Sequence, residues 1–143
     1  MRNGATVVMR WFAALYVVAI VVQVFLAGEG IFRVNAVKNS EDCDKAGAHC
    51  ISNSKTLDAH RGLGTILVLA AILFLIVALV AWHRNVRVRV VSIVAPVLTF
   101  LQIVLAAIGT WLGGLHAVDA FLVLGMYGWL FHALREESVR ATP

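Results

Sequence analysis

Two histidines, His60 and His116, stand at equivalent places in two similar stretches of the sequence, and they are its best candidates for chemistry. The pattern Q-x-x-L-A-x-x-G occurs at 23–30 and again at 102–109. In both cases a histidine opens the apolar segment that follows. Imidazole is a frequent axial ligand of haem iron, and helical bundles often hold cofactors between facing side chains. We therefore predict that His60 and His116 ligate the iron of one haem b from both sides.

The residues around these histidines predict the rest of a haem site. Arg61 could pair with a haem propionate. Gln23 and Gln102 could hydrogen-bond a propionate or the second ring nitrogen of a ligand histidine, and Asp119 is a further candidate for that role. Small residues allow a flat ring to approach the helix backbone. Those predicted to make room for the porphyrin are Ala27, Gly30, Gly64, Ala106, Gly109 and Ala120.

The composition places these residues in a membrane rather than in a soluble core. Of the 143 residues, 61% are hydrophobic and only 14% are charged. A helix needs about 20 mostly apolar residues to cross the hydrocarbon of a bilayer. Four apolar segments approach or exceed that length, at about 11–27, 57–82, 90–112 and 115–134. We predict an all-α, integral membrane four-helix bundle in which residues 1–143 form a single transmembrane domain.

The repeated pattern also predicts how the four helices are related. If successive spans alternate in direction, the first and third run outward and the second and fourth run inward. The bundle would then consist of two parallel-duplicated helical hairpins, related by an axis along the membrane normal. The glutamine, alanine and glycine of each pattern share one helix face, and a glutamine inside a span is costly unless it finds a partner.

Arginines concentrate at the ends of the predicted spans that lie on one side. The positive-inside rule assigns that side to the cytoplasm, with the N and C termini, and leaves the loop 28–56 outside. We therefore expect a multi-pass protein of the inner (plasma) membrane in contact with lipid. No basic patch is interleaved with aromatic residues, so nucleic-acid binding is not predicted. The arginines at the predicted cytoplasmic ends of the spans are Arg2, Arg10, Arg84, Arg87, Arg89, Arg135 and Arg140.

The predicted outer loop contains the two cysteines of the chain, Cys43 and Cys50. An oxidising compartment allows them to form a disulfide that acts as a structural staple. A redox-active pair and a metal site with His49 are the alternatives, although a metal site needs further ligands.

Two more histidines, His83 and His132, lie near the cytoplasmic ends of the spans. At 100° per residue, they are rotated by about 140° and about 160° from His60 and His116 on their helices. They therefore face away from the predicted ligand pair. We interpret them as interfacial residues and predict one haem, not two.

These motifs resemble those of a family of small uncharacterised bacterial four-helix membrane proteins. They are Q-x-x-L-A-x-x-G, H-R-x-L-G at 60–64 and L-H-A-x-(D/N)-A at 115–120. The arrangement also resembles one half of haem A synthase and, more loosely, cytochrome b561-type proteins. The resemblance implies a bacterial protein with histidine haem ligands and a Cys-x6-Cys disulfide, a spacing that Cys43 and Cys50 match. Haem A synthase has a required glutamate three residues before its first ligand histidine, where this chain has Leu57, so haem hydroxylation is not implied.

Two functions fit these observations. The first is a bis-histidine b-type cytochrome that transfers electrons, alone or as a subunit of a larger membrane oxidoreductase, with a quinone, other subunits or a second copy as partner. The alternative is a haem-free accessory subunit of a membrane protein complex, in which the glutamines and small residues only pack helices. Whether the protein is an enzyme is left open by the sequence.

Overall fold

The computed structural model of this chain describes residues 2–38, 57–108 and 113–140. Within those ranges the backbone forms four α-helices. They are α1 (Arg2–Lys38), α2 (Asp58–Ala81), α3 (Val86–Ile108) and α4 (Gly113–Arg140). The prediction of an all-α protein with four helices is therefore confirmed.

All four helices are long and apolar enough to cross a membrane. Their candidate spans are Gly4–Arg33, Asp58–Ala81, Val86–Ile108 and Gly114–Glu137, which contain 23 to 30 residues each. A crossing requires about 20. Large apolar side chains such as Phe25 and Val80 are 70% and 82% exposed. That surface suits contact with lipid, as a multi-pass membrane protein requires.

Helix α1 extends further than the sequence predicted. The predicted outer loop begins at residue 28, but Gly28–Lys38 continue α1 as helix. This segment contains no proline, and Arg33 Nε donates to Glu29 Oε1 over 2.9 Å, an i,i+4 pair that supports the added turns. The cysteines Cys43 and Cys50, with their predicted disulfide, lie outside the described residues, as does Gly109.

The chain divides into two compact units. The first consists of Met1–Ile20 with Leu67–Pro143, and the second is Val21–Ile66. The centre of the first unit is aromatic. Tyr16 stacks on Tyr127 with ring centroids 4.1 Å apart, and the edge of Phe74 meets Tyr127 at 5.3 Å. The Tyr16 hydroxyl donates to the Leu67 carbonyl over 2.7 Å, which secures α2 in this core.

Toward the N-terminal end of α1 and the C-terminal end of α4, the core of the first unit is largely apolar. Met9, Val88, Leu130 and Leu134 are each at most 1% exposed. Helix α3 continues through Pro96, which is also fully buried. A proline in a helix interior cannot donate to the carbonyl four residues earlier, which here belongs to Ser92.

Candidate functional site

The first histidine, His60, forms a reciprocal pair with Gln23 inside the second unit. Helix α2 begins at Asp58, so His60 lies in its first turn, as the sequence predicted. Gln23 Nε2 donates to the His60 carbonyl over 2.8 Å. In return, His60 Nδ1 lies 3.2 Å from the Gln23 carbonyl. Each residue therefore contacts the main chain of the other, which fixes both side chains.

Gly64 provides the space that this pair needs. A Cβ atom added at Gly64 would lie 3.0 Å from Gln23 Nε2, closer than an ordinary van der Waals contact. An alanine at residue 64 would require the Gln23 amide, which donates to the His60 carbonyl, to shift by a few tenths of an ångström. The glycine that the sequence predicted to accommodate a porphyrin has the amide of Gln23 as its neighbour.

The second histidine, His116, makes the equivalent ring contact inside the first unit. Its Nδ1 lies 3.0 Å from the carbonyl of Gln102. Ala120, partly buried, occupies the position one turn later that Gly64 occupies after His60. Asp119 is only 5% exposed, and its side chain interacts with that of Gln102. The structure therefore brings His116, Gln102 and Asp119 together.

The shared contact has a chemical consequence for both rings. A neutral imidazole that donates from Nδ1 to a carbonyl carries its lone pair on Nε2. Histidines that ligate metals commonly have this arrangement, since the carbonyl fixes both the tautomer and the ring orientation. His60 and His116 belong to different units, and each is oriented by the glutamine of its own repeat.

Another predicted site residue that the structure describes is Arg61. Its side chain is exposed, and its carbonyl accepts a hydrogen bond from Thr65 Oγ1 over 3.1 Å. An exposed guanidinium one residue after His60 is available to an anionic group at this end of α2.

The two other histidines are engaged with glutamates. His83 Nε2 lies 2.8 Å from Glu137 Oε2, and His132 Nε2 lies 3.1 Å from Glu136 Oε1. Asn85 Nδ2 donates to the second oxygen of Glu137 over 3.1 Å. Among the described residues, no group of three or more His, Cys, Asp or Glu side chains could hold a metal ion. A metal cofactor that supplies its own equatorial ligands needs only two ligands from the protein.

Sequence reasoning missed the polar interior of the first unit. Ser92, Thr99 and Tyr127 are buried in segments that otherwise read as apolar. Part of this polar interior was recognisable in the sequence. Ser92, Thr99 and Gln102 are separated by seven and three residues, and these spacings place them on one face of α3.

No protein-family model, curated protein or solved structure matches this chain. What the fold defines is a class: an all-α protein with four helices in its described residues, each long and apolar enough to cross a membrane, which is compatible with a multi-pass membrane protein.

Proposed function

We propose that the protein is a bis-histidine b-type cytochrome that takes part in electron transfer, alone or as a subunit of a larger membrane oxidoreductase. His60 and His116 would be the axial ligands of one haem b. The observation that supports this most is the repeated contact of a histidine Nδ1 with the carbonyl of its glutamine, at 3.2 Å and 3.0 Å. Both rings thus carry the tautomer in which Nε2 can coordinate iron.

The recurrence of this contact also supports a duplicated architecture. Two hairpins, α1–α2 and α3–α4, would be parallel copies, each with its glutamine on the outgoing helix and its histidine on the returning one. A parallel duplication places equivalent residues at equal depth in the membrane. The two histidines would therefore reach one iron from opposite sides.

The orientation we propose is a bacterial inner membrane with both termini in the cytoplasm. Arginine–aromatic pairs support it: the Arg10 guanidinium lies 5.4 Å from the Trp11 ring and that of Arg89 lies 4.7 Å from the Trp82 ring. Cationic and aromatic residues anchor helix ends at the interface, and the cationic ones favour the cytoplasmic side. The His60 and His116 ends of the helices would then face outward.

In this proposal the chain's own residues bind and orient the cofactor. Haem supplies one-electron chemistry, and its potential depends on the axial ligands and on burial. The carbonyls of Gln23 and Gln102 hold the ligand rings in place. Arg61 would neutralise a propionate at the outer surface, where a quinone or another subunit can approach.

Haem content tests the proposal. The purified protein should contain one haem b per chain by pyridine haemochrome, with a sharp α band on reduction. His60→Ala and His116→Ala should each lose the haem. His132→Ala is the matched control and should keep it, because His132 is bonded to Glu136 and faces away from the ligand pair. Equal haem loss in all three variants, or a colourless wild-type protein that is folded, would refute the proposal.

One observation favours the alternative of a haem-free accessory subunit. The reciprocal bonds between Gln23 and His60 would hold two helices together without any ligand. In that case His60→Ala lowers the thermal stability of a colourless protein and weakens its assembly with partner subunits. Supplying haem during expression would change neither result.

A further inference from the structure

We propose that the first unit binds ordered water at a column of buried polar groups between α3 and α4. The polar column consists of Ser92, Thr99 and Gln102 on α3 and Asp119 and Tyr127 on α4. This proposal does not depend on haem. Its ligand is internal water, held deep in a helical protein whose outer surface is apolar.

Four side-chain atoms of the polar column are buried and have no hydrogen-bond partner among the described residues. They are Ser92 Oγ, Gln102 Nε2, Asp119 Oδ2 and Tyr127 OH. Ser92 is 1% exposed, Tyr127 0% and Asp119 5%. A buried polar group that lacks a partner costs about 1–3 kcal/mol, and water does not reach it from a lipid phase. Bound water is the usual remedy in protein interiors.

Pro96 adds a fifth polar group at the same place. Because proline has no amide hydrogen, it cannot donate the helix bond that the Ser92 carbonyl would otherwise receive. Pro96 and Ser92 are both fully buried. The hydroxyl and the carbonyl of Ser92 thus offer one donor and two acceptors side by side, which is enough for one water molecule.

The aromatic centre offers a second position for water. The Thr99 side chain interacts with the hydroxyls of both Tyr16 and Tyr127. Thr99 Oγ1 already donates to the Ala95 carbonyl, and Tyr16 already donates to the Leu67 carbonyl. The hydroxyl oxygens of Thr99 and Tyr16 can therefore each still accept a hydrogen bond. A water molecule beside Tyr127 can connect the hydroxyls of Thr99, Tyr16 and Tyr127.

The third position lies where Gln102 meets Asp119. Gln102 Nε2 can donate and Asp119 Oδ2 can accept, and neither atom has a hydrogen-bond partner among the described residues, so one water that contacts both atoms can satisfy them. The ten residues from Ser92 to Gln102 correspond to about 15 Å of helix. The buried apolar residues of the same unit include Met9, Val88, Leu130 and Leu134.

Radiolytic hydroxyl-radical labelling of the intact protein in detergent tests this proposal. Radicals formed from bound water modify side chains that bulk solvent cannot reach, so Tyr127 should be labelled in the folded protein. Met9 is the matched control, since its thioether is highly reactive and it is 1% exposed in the apolar region. Met9 should remain unlabelled. Unlabelled Tyr127 would overturn the proposal. Labelling of Met9 as fast as Tyr127 would also overturn it, because the modification would then not depend on water held by the polar groups.

The stability of the Ser92→Ala variant gives a second, independent test. If water is bound, Ser92→Ala removes one of its hydrogen-bond partners, and the midpoint of thermal unfolding falls. If the Ser92 hydroxyl has no bound water, its removal relieves an unsatisfied group and the midpoint stays or rises, which would overturn the proposal. The labelling result on the wild type holds even if a variant fails to fold.

Discussion

At Gly64, the absence of a side chain leaves room for the amide of Gln23 beside α2. We predict that Gly64→Ala leaves the protein about 1 kcal/mol less stable than Gly62→Ala does, because the new Cβ, 3.0 Å from Gln23 Nε2, pushes the amide away from the His60 carbonyl and offsets the gain in helix propensity. Thermal unfolding of the purified protein measures this change.

Gly62→Ala is the matched control for that substitution. It lies in the same helix two residues earlier, and an added Cβ meets nothing within 4 Å. Alanine is preferred to glycine in a helix by about 1 kcal/mol, so Gly62→Ala should be neutral or stabilising. If the two variants had the same unfolding midpoint, the close contact between a Cβ at residue 64 and Gln23 would not affect the stability of the protein.

At the scale of the elements, the link between α2 and α3 is held against the end of α4 by His83. Its pair with Glu137 is partly buried, with side-chain exposures of 14% and 32%. We predict that His83→Ala costs about 1 kcal/mol or less, in the range of a partly screened ion pair. The pair spans two elements, so its loss should increase amide hydrogen exchange in the link.

His132→Ala is the comparison within the same region. His132 and Glu136 are neighbours on one helix turn, and their side chains are 69% and 53% exposed. Its removal should leave both the stability and the exchange of the link unchanged. A larger effect at His132 than at His83 would contradict the assignment of the link contact to His83.

Some of these elements were predictable from the sequence and others were not. The four helices followed from apolar length, and the glutamine–histidine contacts were signalled because polar residues are rare in such segments. The added turns of α1 were missed, since Gly28 and Gly30 are common in loops and the Glu29–Arg33 pair adds only a few tenths of a kcal/mol. The main-chain carbonyls that accept these hydrogen bonds were not predicted. Every residue has a carbonyl, so a sequence pattern does not indicate which one accepts.

At the scale of the whole molecule, the proposed orientation has a direct test. The chain has only two cysteines, Cys43 and Cys50. We predict that a membrane-impermeant maleimide added to intact cells labels them after reduction, and not before it, because in the proposed topology the loop would be outside and its cysteines would be paired.

A cysteine introduced by Ser138→Cys, with the two native cysteines replaced by serine, is the control for the opposite side. It lies in the last turns of α4 and should be labelled only after the cells are permeabilised. Labelling of this residue in intact cells would reverse the topology. Labelling of Cys43 and Cys50 without reductant would exclude their disulfide and leave the topology unchanged.

The reciprocal contact of Gln23 with His60 also bears on the order of biosynthesis. Both partners precede α3 in the chain, and the contact lies wholly within Val21–Ile66. Nothing that the ribosome adds later is needed to form it. In the proposed topology, the first hairpin could therefore insert into the bilayer with these polar groups already matched, while the second half of the protein is still being translated.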